Sequence, residues 1–215
     1  MKLGDKIGEG AYRDCFAVAD NPDLCAKVQR EMVTRRIPIL EISLTLKTRL
    51  FLLFRYGETD LNRRENRIIN KFPTVLRQYM PEVIDLRVDP SDPEKTQLVA
   101  TRPRDFDGQY SASMLEYGPV DNEAFWEHVD KIAEAMVEYD LISTDVFFRG
   151  QNLLVQRVAK DHYRPVLVDV KHIGRAVPHV RKPQLIFKNE FLKAFYSKLE
   201  DFKAKFKGPE TRKFQ

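Results

Sequence analysis

The sequence predicts a two-lobed α+β chain, with a small antiparallel sheet first and a mostly helical part second. Three observations predict it. Short apolar runs separated by turn residues dominate the start; longer segments with helical spacing dominate the end; an irregular stretch, Pro103 to Gly108, divides them. With 43% hydrophobic and 11% aromatic residues in 215, the chain can bury a real core.

Taken in order, Leu3–Ile7, Asp14–Val18 and Leu24–Val28 read as strands, with turns at Gly8-Glu9-Gly10 and Asn21-Pro22-Asp23. Ile39, Ile42, Leu46, Leu50 and Leu53 recur at helical spacing, which predicts an amphipathic helix ending near Gly57. A second helix starts at Asp60 as N-cap, presents Leu61, Ile68, Ile69 and Phe72, and stops before Pro73. Strands Val83–Val88 and Thr96–Thr101 flank the polar turn Asp89–Pro93. Phe125, Val129, Ile132, Met136 and Tyr139 keep one face of a helix over Asn122–Tyr139. Asn152–Val158 and Pro165–Val170 form a hairpin, and a final helix runs from about Pro183 to Lys205. The first lobe is thus expected over about 1–102, a hinge over about 99–108, the second lobe over about 109–207, and a tail over 208–215.

Composition excludes several classes. Thirty-six Lys+Arg against 32 Asp+Glu leave +4, too small an excess to argue for nucleic acid, and much of it sits in the tail from Lys203 to Lys213. Cys15 and Cys25, the only cysteines, make no disulfide scaffold and no metal-ligand spacing; they read as small buried hydrophobes on neighbouring strands. MKLGDKIGEG lacks the apolar core of a secretory signal. The most apolar region, Ile37–Tyr56, is broken by Glu41, Lys47, Arg49 and Arg55, so no transmembrane segment is expected and the chain reads as cytoplasmic. That helix and the basic tail could meet an anionic membrane, but a core-facing helix and a solvated tail explain them as well. His128, His162, His172 and His179 have no spacing for a transition-metal site.

Chemistry concentrates in two places. Gly8 and Gly10 lie in a turn between strands, where glycine lets backbone N–H groups approach phosphates, and Lys27 follows in the apolar run Leu24–Val28. A glycine hairpin followed by a strand lysine begins the protein-kinase-like pattern, which next needs a helix glutamate. Glu65 meets that need, with Glu41 as its competitor. Further on, Asn152 and Asp169 stand at the open ends of the paired strands, two oxygen ligands suited to Mg²⁺.

Gly8-Glu9-Gly10 with Arg13-Asp14-Cys15-Phe16, Cys25-Ala26-Lys27-Val28, Arg64-Glu65, Asp105-Phe106-Asp107-Gly108 and Gln151-Asn152-Leu153-Leu154 together resemble the YrbL family, small bacterial proteins of protein-kinase-like fold linked by name to the PhoP regulatory network. The resemblance is patchy and runs from about Gly4 to Gly174; residues 30–59 look like an insertion. It implies that Gly8 and Gly10 cover the ATP phosphates, that Lys27 contacts them with Glu65 as partner, that Val99–Asp107 is the hinge beside adenine, and that Asn152 and Asp169 hold Mg²⁺. Asp105-Phe106-Asp107-Gly108 then matches the kinase D-F-G only in letters, because it precedes the catalytic-loop helix. Two departures stand out. Arg13 replaces the third glycine, which would put a guanidinium near the phosphates. Phe147 occupies the slot five residues before Asn152 where a kinase base lies, while Asp145 is two residues further upstream. The leading expectation is an ATP- and Mg²⁺-dependent phosphotransferase on an unknown hydroxyl of a small molecule or protein, with Asp145 as base. The alternative is a pseudokinase, a regulatory interaction module without a base.

Overall fold

Alternation at the start of the chain becomes three strands: β1 (Leu3–Glu9), β2 (Arg13–Val18) and β3 (Asn21–Gln29). The computed structural model describes residues 1–10, 12–30, 53, 58–90, 92–143, 145–147, 149–170 and 188–208. The helix expected from Ile37, Glu41 within it, and His172 and His179 lie outside the described residues, Leu53 excepted. The later elements are α1 (Leu61–Asn70), α2 (Thr74–Arg77), β4 (Val83–Asp89), β5 (Asp92–Thr101), β6 (Ala112–Ser113), α3 (Met114–Tyr117), α4 (Glu123–Glu138), β7 (Leu153–Ala159), β8 (His162–Leu167) and α5 (Lys188–Phe206). The chain is α+β with antiparallel sheets, as expected.

The described residues divide into two compact units. The first comprises 1–70 and 82–102 and holds a five-stranded sheet in the order β1-β2-β3-β5-β4, every pair antiparallel. Two turns differ from the sequence reading. Val18 pairs with Asn21, so the β2–β3 turn is Ala19-Asp20, and Asn21-Pro22-Asp23 belongs to β3. Asp89 pairs with Asp92, so β5 begins earlier than Thr96. Pro93 lies beyond the β3–β5 register, which ends at Gln97, so its missing N–H breaks no bond of that ladder. Val18, Ala26 and Val99 form a small core, with Leu3 and Leu24 against it.

The second unit contains 71–81, 103–170 and 188–208 among the described residues. Residues 71–81 thus fall with the helical part instead of the first lobe. Phe72, Leu76 and Tyr79 are buried, the Tyr79 hydroxyl meets His128 Nδ1 at 2.8 Å, and the Leu167 N–H donates to the Tyr79 carbonyl at 2.7 Å. Sheet β6-β7-β8 and helices α4 and α5 enclose an apolar core that includes Trp126, Ile132, Met136, Leu153, Val155, Phe195 and Phe202. Asn122 caps α4 by accepting from the Phe125 N–H at 2.9 Å. Ser113 and Glu116 form a reciprocal capping box on α3, a Ser-x-x-Glu signal legible in the sequence.

Candidate functional site

In the first unit the site begins at Lys27, placed by its strand. The register sets Lys27 opposite Cys15 on β2 and Leu98 on β5. Helix α1 starts at the N-cap Asp60, whose Oδ1 accepts from the N–H groups of Asn62 at 2.9 Å and Arg63 at 3.1 Å, while its Oδ2 accepts from the Thr96 hydroxyl at 2.9 Å. The cap therefore also anchors the helix to β5. One turn later Glu65 is buried, and its Oε1 meets Lys27 Nζ at 2.7 Å. Its Oε2 pairs with the Arg13 guanidinium.

Asn62 completes this network. It is fully buried, and its Nδ2 donates to the carbonyls of Lys27, at 2.9 Å, and of Thr96. Its Oδ1 accepts from Arg13 at 3.0 Å. Nothing in the sequence reading singled out Asn62; a polar residue inside the apolar stripe of a helix was the available signal. Arg13, expected near phosphates, instead turns its guanidinium onto the start of α1, reaching the Leu61 carbonyl at 3.4 Å as well. Its side chain is only 5% exposed, against 17% for Lys27. Of the two cations on this carboxylate, Lys27 is the more accessible.

The glycine turn is tied together by charge. Glu9 pairs with Lys6 at 2.8 Å and with Arg30, and Arg30 also meets Asp14 at 2.9 Å. The hydrogen bond from Lys6, and then that from Arg30, hold the Glu9 carboxyl down at about 2. Gly10 is sterically required, since a Cβ there would stand 2.9 Å from the Arg13 carbonyl oxygen. Its N–H donates to that same oxygen at 2.8 Å and so closes the hairpin. Gly8 has only ordinary clearance, 3.4 Å to the Cys15 Cβ.

In the second unit the register pairs Leu153 with Leu167, and the Val168 N–H donates to the Asn152 carbonyl at 3.1 Å. Asn152 and Asp169 thus adjoin at the open end of the hairpin backbone. Asn152 Nδ2 donates to the Asp145 carbonyl at 2.9 Å, which fixes the amide orientation and makes Oδ1 the atom that could meet a metal. An amide oxygen and a carboxylate are hard donors that fit Mg²⁺, which retains water and substrate phosphates as its other ligands. No group of three or more His, Cys, Asp or Glu that could hold a metal occurs among the described residues.

Phe147 has a structural explanation. It is buried between Phe195 and Phe202 of α5, with ring centroids at 5.6 and 5.5 Å. In the loop between Asp145 and Asn152 the backbone takes positive φ at two consecutive residues, Arg149 at 59 and Gly150 at 75. Asp145 and Asn152 remain joined across it.

The letters Asp105-Phe106-Asp107-Gly108 form a strapped turn. Asp105 accepts from the Ser111 hydroxyl at 2.8 Å and from the Arg157 N–H and Nε at 3.1 and 2.7 Å, and Arg157 also pairs with Asp107. Both carboxylates therefore answer to one guanidinium on β7. In the basic tail, Lys203 pairs with Asp130 at 2.5 Å and Lys207 with Glu123 at 2.9 Å; 209–215 lie outside the described residues. No described helix is long and apolar enough to cross a membrane.

No protein-family model and no curated protein matches the chain. Among solved structures it is similar to the Rio2 kinase of Chaetomium thermophilum in a complex described as ADP/Mg²⁺-phosphoaspartate, at 14% identity and a TM-score of 0.46. The match takes in 97% of this chain, which spans 58% of the length of that one.

Proposed function

We propose that the chain is a phosphotransferase of protein-kinase-like fold that uses ATP and Mg²⁺ and acts on a hydroxyl acceptor. The observation that carries this reading is the 2.7 Å pair between Lys27 on the third strand and the buried Glu65 on the following helix. That is the strand-lysine and helix-glutamate arrangement that positions nucleotide phosphates in kinases. Asn152 and Asp169, adjoining at the hairpin end, supply the second half of the same pattern.

In this mechanism Glu65 holds the Lys27 ammonium toward the α- and β-phosphate oxygens. Arg13 acts as a positioning residue, fixing the second oxygen of Glu65 so that the carboxylate keeps one orientation. Gly8 and Gly10 keep the turn slim beside the phosphates. Asn152 Oδ1 and the Asp169 carboxylate would hold Mg²⁺, which when bound neutralises phosphate charge. Asp145 takes the acceptor's proton as the hydroxyl oxygen bonds to the γ-phosphorus and the bridging bond to ADP breaks. The finer placement, in the YrbL family and a bacterial regulatory circuit, rests on the quoted motifs. The acceptor is a small molecule or a protein.

Incubating the full chain with labelled ATP and Mg²⁺ tests this. Autophosphorylation or hydrolysis that is lost in Lys27→Ala and Asp169→Ala, and reduced about 100-fold in Asp145→Asn, supports it. A thermal shift with ATP but no turnover supports the pseudokinase alternative, whose motive was Phe147 in the base slot. No shift with ATP and Mg²⁺ together overturns both.

A further inference from the structure

Strands β2 and β3 carry both cysteines of the chain. The register sets Cys15 opposite Lys27 and Ala17 opposite Cys25, so the cysteines and Lys27 share one face and the thiols lie on a diagonal of the ladder. Neither is in a disulfide; Cys25 is buried and Cys15 partly accessible. The neighbouring Cys25 thiol, then burial, pushes the Cys15 thiol up; the Cys15 thiol, with Lys27 and Arg102 nearby, brings Cys25 down to about 7 despite its burial.

We propose that Cys15 and Cys25 form a reversible oxidation site that takes a hydroperoxide and closes a disulfide between β2 and β3. The Cys25 thiolate attacks one peroxide oxygen; the O–O bond breaks, a sulfenic acid forms, and the leaving oxygen takes up a proton. The Cys15 sulfur then attacks the sulfenic sulfur, forming the S–S bond and breaking the S–O bond, and the hydroxyl leaves as water with the Cys15 proton. For hydrogen peroxide, two thiols and one peroxide become one disulfide and two waters, and the peroxide takes both electrons. Diagonal neighbours in an antiparallel ladder stand about 7–8 Å apart, whereas a disulfide spans Cα separations of about 4.4–6.8 Å. Closing the bridge therefore draws the strands together and strains it. A strained bridge is readily reduced, which suits a reversible site better than a permanent staple.

The test treats reduced full-length protein with stoichiometric hydrogen peroxide, alkylates it with N-ethylmaleimide, and reads intact mass and non-reduced peptide maps. The expected result is loss of both alkylatable thiols, a species two hydrogens lighter, a peptide linking Cys15 to Cys25, and full reversal by dithiothreitol. Cys15→Ser should leave a sulfenic acid at Cys25 that dimedone traps, while Cys25→Ser should leave Cys15 fully alkylatable. Both thiols still alkylated in the wild-type protein after peroxide, or a bridge only between two copies of the chain, overturns the proposal. The wild-type measurement needs no variant to fold, and no readout involves nucleotide, so the result is independent of the phosphotransferase reading.

Discussion

The two units secure their helices by opposite means. Helix α1 of the first unit is held by buried polar groups, with Glu65 between Arg13 and Lys27 and Asn62 between two strand carbonyls. Helix α5 of the second unit is held by rings and aliphatic chains, Phe195, Leu199, Phe202 and Phe206. An apolar helix can settle by small rotations, because dispersion has no preferred direction. A charged network is stable only when every member is satisfied, so it fixes angles as well as distances. The difference teaches that the first unit gives up easy stability for a fixed position of one ammonium group.

The largest effect expected from breaking this contrast is Glu65→Ala, which removes the buried carboxylate that Arg13 and Lys27 share. It should destabilise the chain by about 3–5 kcal/mol in urea unfolding. Replacing Arg13 and Glu65 together by methionine should recover much of that stability while nucleotide binding stays lost. Recovery of binding would show that the charges serve the fold alone. Phe147→Ala, the counterpart in the second unit, should cost about 3 kcal/mol through the cavity left between Phe195 and Phe202, with nucleotide affinity measured by calorimetry unchanged. Gly150→Ala should cost about 1–3 kcal/mol, because the new Cβ must sit at positive φ and 2.9 Å from the Phe206 ring. The smallest effect concerns Glu9. Its folded-state carboxyl is depressed to about 2, so its contribution is present above its ordinary value near 4.5 and is lost as pH falls through about 2. Glu9→Gln should flatten the acid limb of a stability-against-pH curve in that window, and raising salt should shrink the difference.

Much of this architecture was legible because it depends on local chemistry. Asp60 announced a helix start as N-cap, and the patterning of apolar residues located α1, α4, α5 and the β7–β8 hairpin. The Lys27–Glu65 pairing followed from a template, and the geometry agrees with it. What stayed hidden depends on distant partners. Asn62 looked like one more polar helix residue, because only the folded register brings the Lys27 and Thr96 carbonyls to its amide. Arg13 looked like a phosphate contact because sequence position says nothing of which way a long side chain turns. Phe147 stands in a base slot by spacing, and spacing alone cannot reveal that its ring packs between Phe195 and Phe202.

The bond from the Leu167 N–H to the Tyr79 carbonyl has a consequence for how this protein is made and cut. Hairpin β4–β5 belongs to one unit yet interrupts the sequence of the other, so the helical unit has no contiguous gene segment of its own. A fragment begun after Arg102 would lack the strip that satisfies the end of β8 two residues before Asp169. On the ribosome, residues 71–81 emerge long before their partners and must wait, unburied, until the hairpin at the far end has been synthesised.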